Sequence, residues 1–345
     1  MERKLRCILF FGIWGILVSA ISIVGLFCQS VFAADKPVEI RVAVSVGTTI
    51  NQFLRMKPEL LKHDNKSYKL DLIQYFSGSP QIPVLAAKKL DLCWFSWDNF
   101  STTIVNAGLD LKIIADIFQD KNDHWSNCYA VLDKSPTKNP GDLRGKTIGI
   151  GSFGTTPDFA VREMMKRYQM EYPRDYNLVE VKLPAMEAML RDGKIDCGNF
   201  IITIWNQAQK KGGLRKLFTN RDIYGESQEL MYVARSEFID SHRQVLVDFL
   251  EDLMRVTQWF LNPANHKEAV QLAAQHLKIP VDALEPWAFT KEDTYKDPFL
   301  VPNIQSVKRH VKWFYENKYI SKPLDVDKYT DLSLIEQARK QLEGK

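Results

Sequence analysis

KTIGIGSFGTTPDF, Lys146 to Phe159, reads as a short strand, a glycine-rich turn and the first turn of a helix. Its glycines at 149, 151 and 154 fit G-x-G-x-x-G, the pattern with which a strand–turn–helix unit cradles the pyrophosphate of a dinucleotide. Such a site also needs an acidic residue closing the next strand, about twenty residues on. Glu171 has the spacing but lies in a helix-ending loop, Met170–Pro173, and the strand that follows ends Lys182-Leu-Pro184 with no carboxylate. No Gly-Lys-Ser/Thr follows the glycines, which removes a phosphate-binding P-loop. What stays is a flexible turn feeding a helix, with Thr155 or Thr156 as N-cap and Pro157 suited to the first helical position. A helix start of this kind presents unpaired N–H groups and is a ready site for one anionic group; the other reading is that these residues only cap the helix.

Outward from this turn, the same device recurs. Val38–Val46 is a strand followed by Gly47-Thr48-Thr49 and a helix-like segment to Lys62. Lys69–Tyr75 is a strand followed by Ser77-Gly-Ser79-Pro80, with Ser79 expected to cap a helix begun by Pro80. Further strands are expected at 91–96, 112–118, 127–132, 147–150, 177–183, 196–202 and 229–235, with helices between many of them. Two β-α-β sets in succession predict an α/β protein with two mainly parallel sheets flanked by helices. Open sheets of this kind bind ligands at the carboxyl ends of their strands, where the hydroxyl-rich turns stand. From Asp240 onward the apolar residues fall at helical spacing, which predicts a helical block docked on an existing sheet.

The chain has 345 residues, enough for two domains. Its first residues, basic Arg3, Lys4 and Arg6, then an apolar run from Cys7 to Phe27 and small residues before Ala33, read as a secretion signal over 1–33. The apolar run exceeds the usual length, so an uncleaved membrane anchor is the alternative. Bulky Phe27 before Cys28 argues against lipid attachment there. Without the signal, the formal net charge of +4 falls to about +2, which is no footprint for nucleic acid. Cys93, Cys128 and Cys197 lack C-x-x-C spacing and read as small buried hydrophobes, although one disulfide stays open. The six histidines are scattered without H-E-x-x-H, and no G-x-S-x-G appears, so neither a metal, a cofactor nor a catalytic triad is expected.

Ordered motifs then give a family resemblance. VLAAKKLDL (Val84–Leu92) and AMLRDGKID (Ala188–Asp196) are helices that end in a turn and an Asp before a strand; DLRGKTIG (Asp142–Gly149) precedes the glycine turn, and PLDVDKYTD (Pro323–Asp331) precedes a last helix. Together they resemble the substrate-binding proteins of ABC importers for sulfonates, taurine and nitrate, within the wider group of thiamine-pyrimidine-synthase-like proteins. The resemblance implies a two-lobed type II periplasmic binding fold, with 34–122 as the first part of lobe 1, 123–230 as lobe 2 and 231–345 as the return to lobe 1. It implies a monomeric, non-catalytic receptor in the periplasm that takes a small organic anion, a sulfonate or carboxylate, and passes it to an ABC permease. An amine or pyrimidine ligand, a membrane-anchored sensory domain and a pyrimidine-synthase-like enzyme are the alternatives. By position, the family's ligand loops fall on Thr48, Thr49, Ser77, Ser79, Ser96, Trp97, Gly154, Thr155 and Thr156, and near Trp205. Trp125 and Phe153 stand at other loop positions and are added as stacking partners for a planar ligand, while Trp94 and Phe95 alternate in a strand and are read mainly as core. Asp98, Asp116 and Asp158 either receive an amine or cap helices or tune the hinge; His124 is read as a solvated loop histidine. None of the mapped positions is basic.

Overall fold

Asp91 and Asp196 each stand one residue before a central strand, and each does the same work. The Asp91 backbone N–H donates to Arg41 O while its Oδ2 accepts from Arg41 N–H, at 2.9 and 3.0 Å. Asp196 pairs with Thr147 in the same two-way manner, at 2.8 and 2.9 Å. The two family-like motifs therefore pin the second strand of each sheet, counted across the sheet from its parallel edge, to the third. In this computed structural model, which describes residues 36–345, the strands are β1 (Val38–Val44), β2 (Tyr68–Gln74), β3 (Leu92–Phe95), β4 (Leu111–Asp120), β5 (Asn127–Leu132), β6 (Thr147–Ile150), β7 (Asn177–Glu180), β8 (Cys197–Ile201), β9 (Leu214–Thr219) and β10 (Ser227–Arg235). The expected signal over 1–33, with Cys7 and Cys28, lies outside the described residues.

The strands form two five-stranded sheets of one plan, β2-β1-β3-β10-β4 and β7-β6-β8-β5-β9. In each, four strands run parallel and one, β10 or β5, runs against its neighbours. The antiparallel strand is in both cases the first after the chain crosses from the other sheet. The two-lobed α/β architecture expected from the sequence is thus the one adopted.

Helices fill the crossovers: α1 (Gln81–Ala86), α2 (Trp97–Val105), α3 (Thr156–Arg167), α4 (Met186–Arg191), α5 (Ile202–Lys210) and α6 (Asn220–Tyr224). The tail adds α7 (Ser236–Leu261, kinked at His242), α8 (His266–Leu277), α9 (Val281–Leu284), α10 (Ile304–Glu316) and α11 (Ser333–Leu342). It packs on the first sheet, where Phe249, Phe260, Val307, Phe314 and Ile335 join the core of β1, β3 and β4. It also covers the edge strand, since Tyr295 and Thr330 bridge to Gln119 and Ile113 of β4.

Four local expectations change. Pro80, not Ser79, stands at the cap of α1, without a side-chain cap bond, and Ser79 Oγ instead accepts from Asn99 at 3.3 Å. The segment after Thr49 is two 3₁₀ stretches, Ile50–Met56 and Pro58–Leu60, because Pro58 cannot continue the hydrogen-bond ladder. The strand from Asn177 stops at Glu180 rather than at Leu183, where a 3₁₀ turn containing Pro184 begins. Strand β9 was not expected; it is a second-sheet edge whose charged Arg215 and Lys216 hide the pattern.

Asp91 is fully buried and also binds Arg41 and Arg235 through its side chain, at 2.8 and 2.7 Å. Burial alone would push its pKa up, but the hydrogen bonds from Arg41 and Arg235 prevail and hold it below the usual value. Asp91→Ala is expected to lower stability to urea by about 3 kcal/mol at neutral pH. Because the folded pKa is depressed, that deficit is complete above the unfolded value near 4 and shrinks as pH falls through the folded one; urea titrations of both proteins from pH 7 to pH 2 read it directly.

Candidate functional site

A cavity of about 610 Å³ opens where the carboxyl ends of both sets of parallel strands meet. From the first sheet come the loop Ser45–Thr49 after β1, Phe76–Gly78 after β2, and Trp94, Ser96 and Asn99 around the end of β3. From the second come Gly151, Ser152 and Thr155–Pro157 before α3, Lys182–Pro184 after β7, and Asn199 with Ile201–Thr203 after β8. The crossing segments supply Phe118, Ser126, Asn127, Glu229 and Leu230, and the tail supplies Thr294.

Six of the sequence-derived residues meet here: Thr48, Thr49, Ser77, Ser96, Thr155 and Thr156. Several of their hydroxyls are already engaged. Thr48 donates to Asp293 at 2.8 Å, Thr155 to Ser152 O at 2.7 Å, and Thr156 to Asp98 at 3.0 Å. The Thr156–Asp98 bond joins α3 to α2 and so links elements of the two sheets. Thr155 does stand at the N-cap of α3, but its hydroxyl makes no capping bond.

The other six do not line the cavity. Trp97 is fully buried among Phe159, Tyr224, His310, Trp313 and Phe314, because the first residue of α2 faces the helices of the tail. Trp205 packs on Phe200 in the second lobe's core, and Trp125 lies under Lys216, 4.5 Å from its ring. Phe153 is exposed and tilts against Tyr172. Gly154 donates to Asp158 and, like Ser79, stands behind the lining residues.

The aromatics that line the cavity are Phe76, Phe118 and, among the tryptophans, Trp94. Gln81 holds its backbone from both sides, accepting from Trp94 N–H at 3.2 Å and donating to Trp94 O at 3.1 Å. Its indole Nε1 is buried without a partner. Asn199, also missed, is a polar residue inside an otherwise apolar strand, and that break in the pattern is its signal in the sequence; Glu229, missed too, follows Ser227 and Gln228 in a polar strand start and carries no such signal. Two glycines are dictated by close approach: a Cβ on Gly78 would fall 2.0 Å from Asn99 Oδ1, and Gly47, at φ +85°, approaches Thr203 across the cavity.

Charge is asymmetric. Lys182 is exposed at the rim, a cation that the mapped positions lacked. Three acids, Asp98, Asp120 and Glu229, are buried, and Glu229 among them lines the cavity. Asp98 accepts from Ser96 and Thr156, and burial raises its pKa. Glu229 is raised by burial too, and Asp120 by burial and then by the Glu229 charge. Asp116 and Asp158 are structural. Asp116, pushed up to about 7 by burial, accepts from Gln228 at 2.7 Å and Asp297 N–H at 3.1 Å, while Asp158 is paired with Arg162. His124 is set against Asp293 O at 2.5 Å and braces that loop. Cys93, Cys128 and Cys197 are free and buried, and burial raises all three thiols, so none presents a thiolate.

Trp97→Ala is expected to lose about 3–5 kcal/mol of stability by chemical denaturation, as a buried core aromatic does. A loss near zero would return Trp97 to the ligand-contacting set.

No curated protein matches the chain in sequence. Among solved structures, the periplasmic aliphatic sulphonate binding protein SsuA of Escherichia coli superposes with a TM-score of 0.69 at 17% identity, covering 85% of this chain and 92% of that one. The periplasmic nitrate-binding protein NrtA of Synechocystis PCC 6803 gives 0.67 at 13% identity, covering 90% of each. The desulfurization enzyme DSZB has the same fold, with a TM-score of 0.65 at 12% identity over 88% of this chain and 99% of its own. A family model described as NMT1/THI5 like matches residues 66–266, and with this fold around it the chain belongs to the NMT1/THI5-like family.

Proposed function

We propose that the protein is a solute-binding receptor of an ABC importer, exported by its N-terminal signal to the periplasm, monomeric, and handing its ligand to a membrane permease. The observation that carries this reading is the cavity itself, bounded by strand ends of two sheets that are joined by the crossings Lys121–Ser126 and Gly225–Glu226. Two α/β bodies on such connections can close around a solute. Sheet membership favours a second lobe that begins near 123, as expected, but ends before β10, near 226 rather than 230, with the first lobe drawn from the residues on either side. The fold shared with SsuA and NrtA, which are named as binding proteins, points the same way; DSZB marks the enzyme alternative on the same scaffold.

The cavity suits a small organic molecule with an apolar, planar body. Trp94, Phe76 and Phe118 supply the surface for it, and the buried strand-end polar groups fix its orientation. For the organic anion expected from the hydroxyl-rich turns, the available cation is Lys182, which stands at the exposed rim. Thr48, Thr155 and Thr156 shape the walls through bonds they already make and contribute lone pairs more readily than donors.

Thermal-shift screening of the purified protein against small organic anions, amines and pyrimidines tests the reading. A solute at a hundred times its dissociation constant should stabilise the fold by about 2.7 kcal/mol. Trp94→Ala should weaken that solute's binding about tenfold or more while leaving the far-UV spectrum unchanged. Catalytic turnover of the stabilising compound would overturn the receptor reading.

A further inference from the structure

The closed end of the cavity has its own chemistry. Glu229 is 4% exposed; its Oε2 accepts from Ser126 at 3.1 Å and Asn220 at 3.3 Å, while Oε1 has no partner. Asn199 is 1% exposed, and its amide nitrogen donates to Asn127 Oδ1 at 3.2 Å and Cys128 O at 3.5 Å. Those two acceptors fix which way the amide points, so the oxygen of Asn199, also without a partner, is a true acceptor. Asn127 in turn donates to Ser126 at 3.2 Å, so Asn199, Asn127, Ser126 and Glu229 form one continuous chain of hydrogen bonds along the cavity wall. Among the described residues that line the cavity, the one buried donor without a partner is the indole N–H of Trp94.

Charge decides what such an end can take. Among the described residues no Lys or Arg forms an ion pair with Glu229, Asp120 or Asp98. A carboxylate or sulfonate placed here would set its own oxygens against acceptor oxygens with no cation beside them and leave both acceptors unanswered, which is penalised in a buried site. We infer that the closed end binds the protonated amino group of a small organic solute, its N–H donors on Glu229 Oε1 and Asn199 Oδ1 and its apolar body against Trp94. The inference rests on the receptor reading and narrows it from organic solutes to organic cations. Any anionic substituent of the ligand would point outward, toward Lys182.

The test is calorimetric titration of the purified protein with compounds matched in skeleton and differing in head group: 2-phenylethylamine, 3-phenylpropionate and 2-phenylethanesulfonate, then hexylamine, hexanoate and hexanesulfonate. Binding of the amines and not of the matched anions is expected, and Glu229→Gln should weaken amine binding about tenfold or more. Glutamine keeps the size of the side chain and an acceptor for Ser126 and Asn220, so the thermal midpoint without ligand reports separately on folding. Binding of the anions in preference to the amines, or amine binding unchanged in Glu229→Gln, would overturn the inference and leave the receptor reading standing. Silence toward amines and anions alike would count against both.

Discussion

The carboxylate that precedes each central strand is the constraint on which the geometry of the site depends. In a sheet, a slip of one residue moves every side chain to the opposite face. By gripping both the backbone and the guanidinium of Arg41, Asp91 leaves β3 one register against β1 and so sets the Ser45–Thr49 loop beside Trp94 and Ser96. Asp196 does the same for β6 and β8, and fixes Gly151 and Ser152 relative to Asn199. Two of the four motifs that carry the family resemblance, those ending in Asp91 and Asp196, are therefore devices for register rather than for ligand contact. They recur in both lobes because both sheets face the same assembly problem.

A second constraint is the seam on one flank of the cavity. Phe159 of α3, from the second lobe, packs its ring against the stacked pair Phe314 and Tyr319 of the tail, with centroids 4.9 and 4.7 Å away, and meets Trp97 at 6.4 Å. Beside it Thr156 reaches Asp98, and Tyr129 and Asn220 tie the start of α3 to the crossing strands. Dry aromatic packing and a buried hydrogen bond reinforce each other there, since a buried carboxylate is tolerated only where donors reach it. The acids at the closed end obey the same rule less completely, and their unanswered oxygens are what give the cavity its chemical preference.

Much of this was legible in the sequence because it is local. Alternation of apolar runs, Gly- and Ser-rich turns at strand ends and the late helical block are short-range patterns, and they placed nine of the strands and half of the expected contact residues. The assignments that failed depend on which way a buried side chain faces. β3 is buried on both sides, so alternation along Leu92–Phe95 does not reveal that Trp94 meets the cavity; Trp97, at a loop position by sequence, becomes core only because residues 310–314 fold back over it. Edge strand β9 escaped for the opposite reason, as solvent tolerates its charges. Asn199 is visible as a polar interruption and Glu229 only as the end of a polar strand start, and the meaning of both needs the partners that leave one oxygen of each free.

The position of β10 bears on how the molecule is made. Residues 227–235 lie between β3 and β4 in the first sheet, whereas the second sheet is built wholly from residues 127–219. During synthesis the second lobe can therefore complete its sheet while the first still holds two unjoined pieces, β2-β1-β3 and a solitary β4. Those exposed edges wait for a strand made more than a hundred residues after β4 is finished, and for the tail that later covers β4. Nascent chains with such a delay are the ones most open to capture by chaperones or by each other. The lobe that begins first in the sequence is the last to be finished.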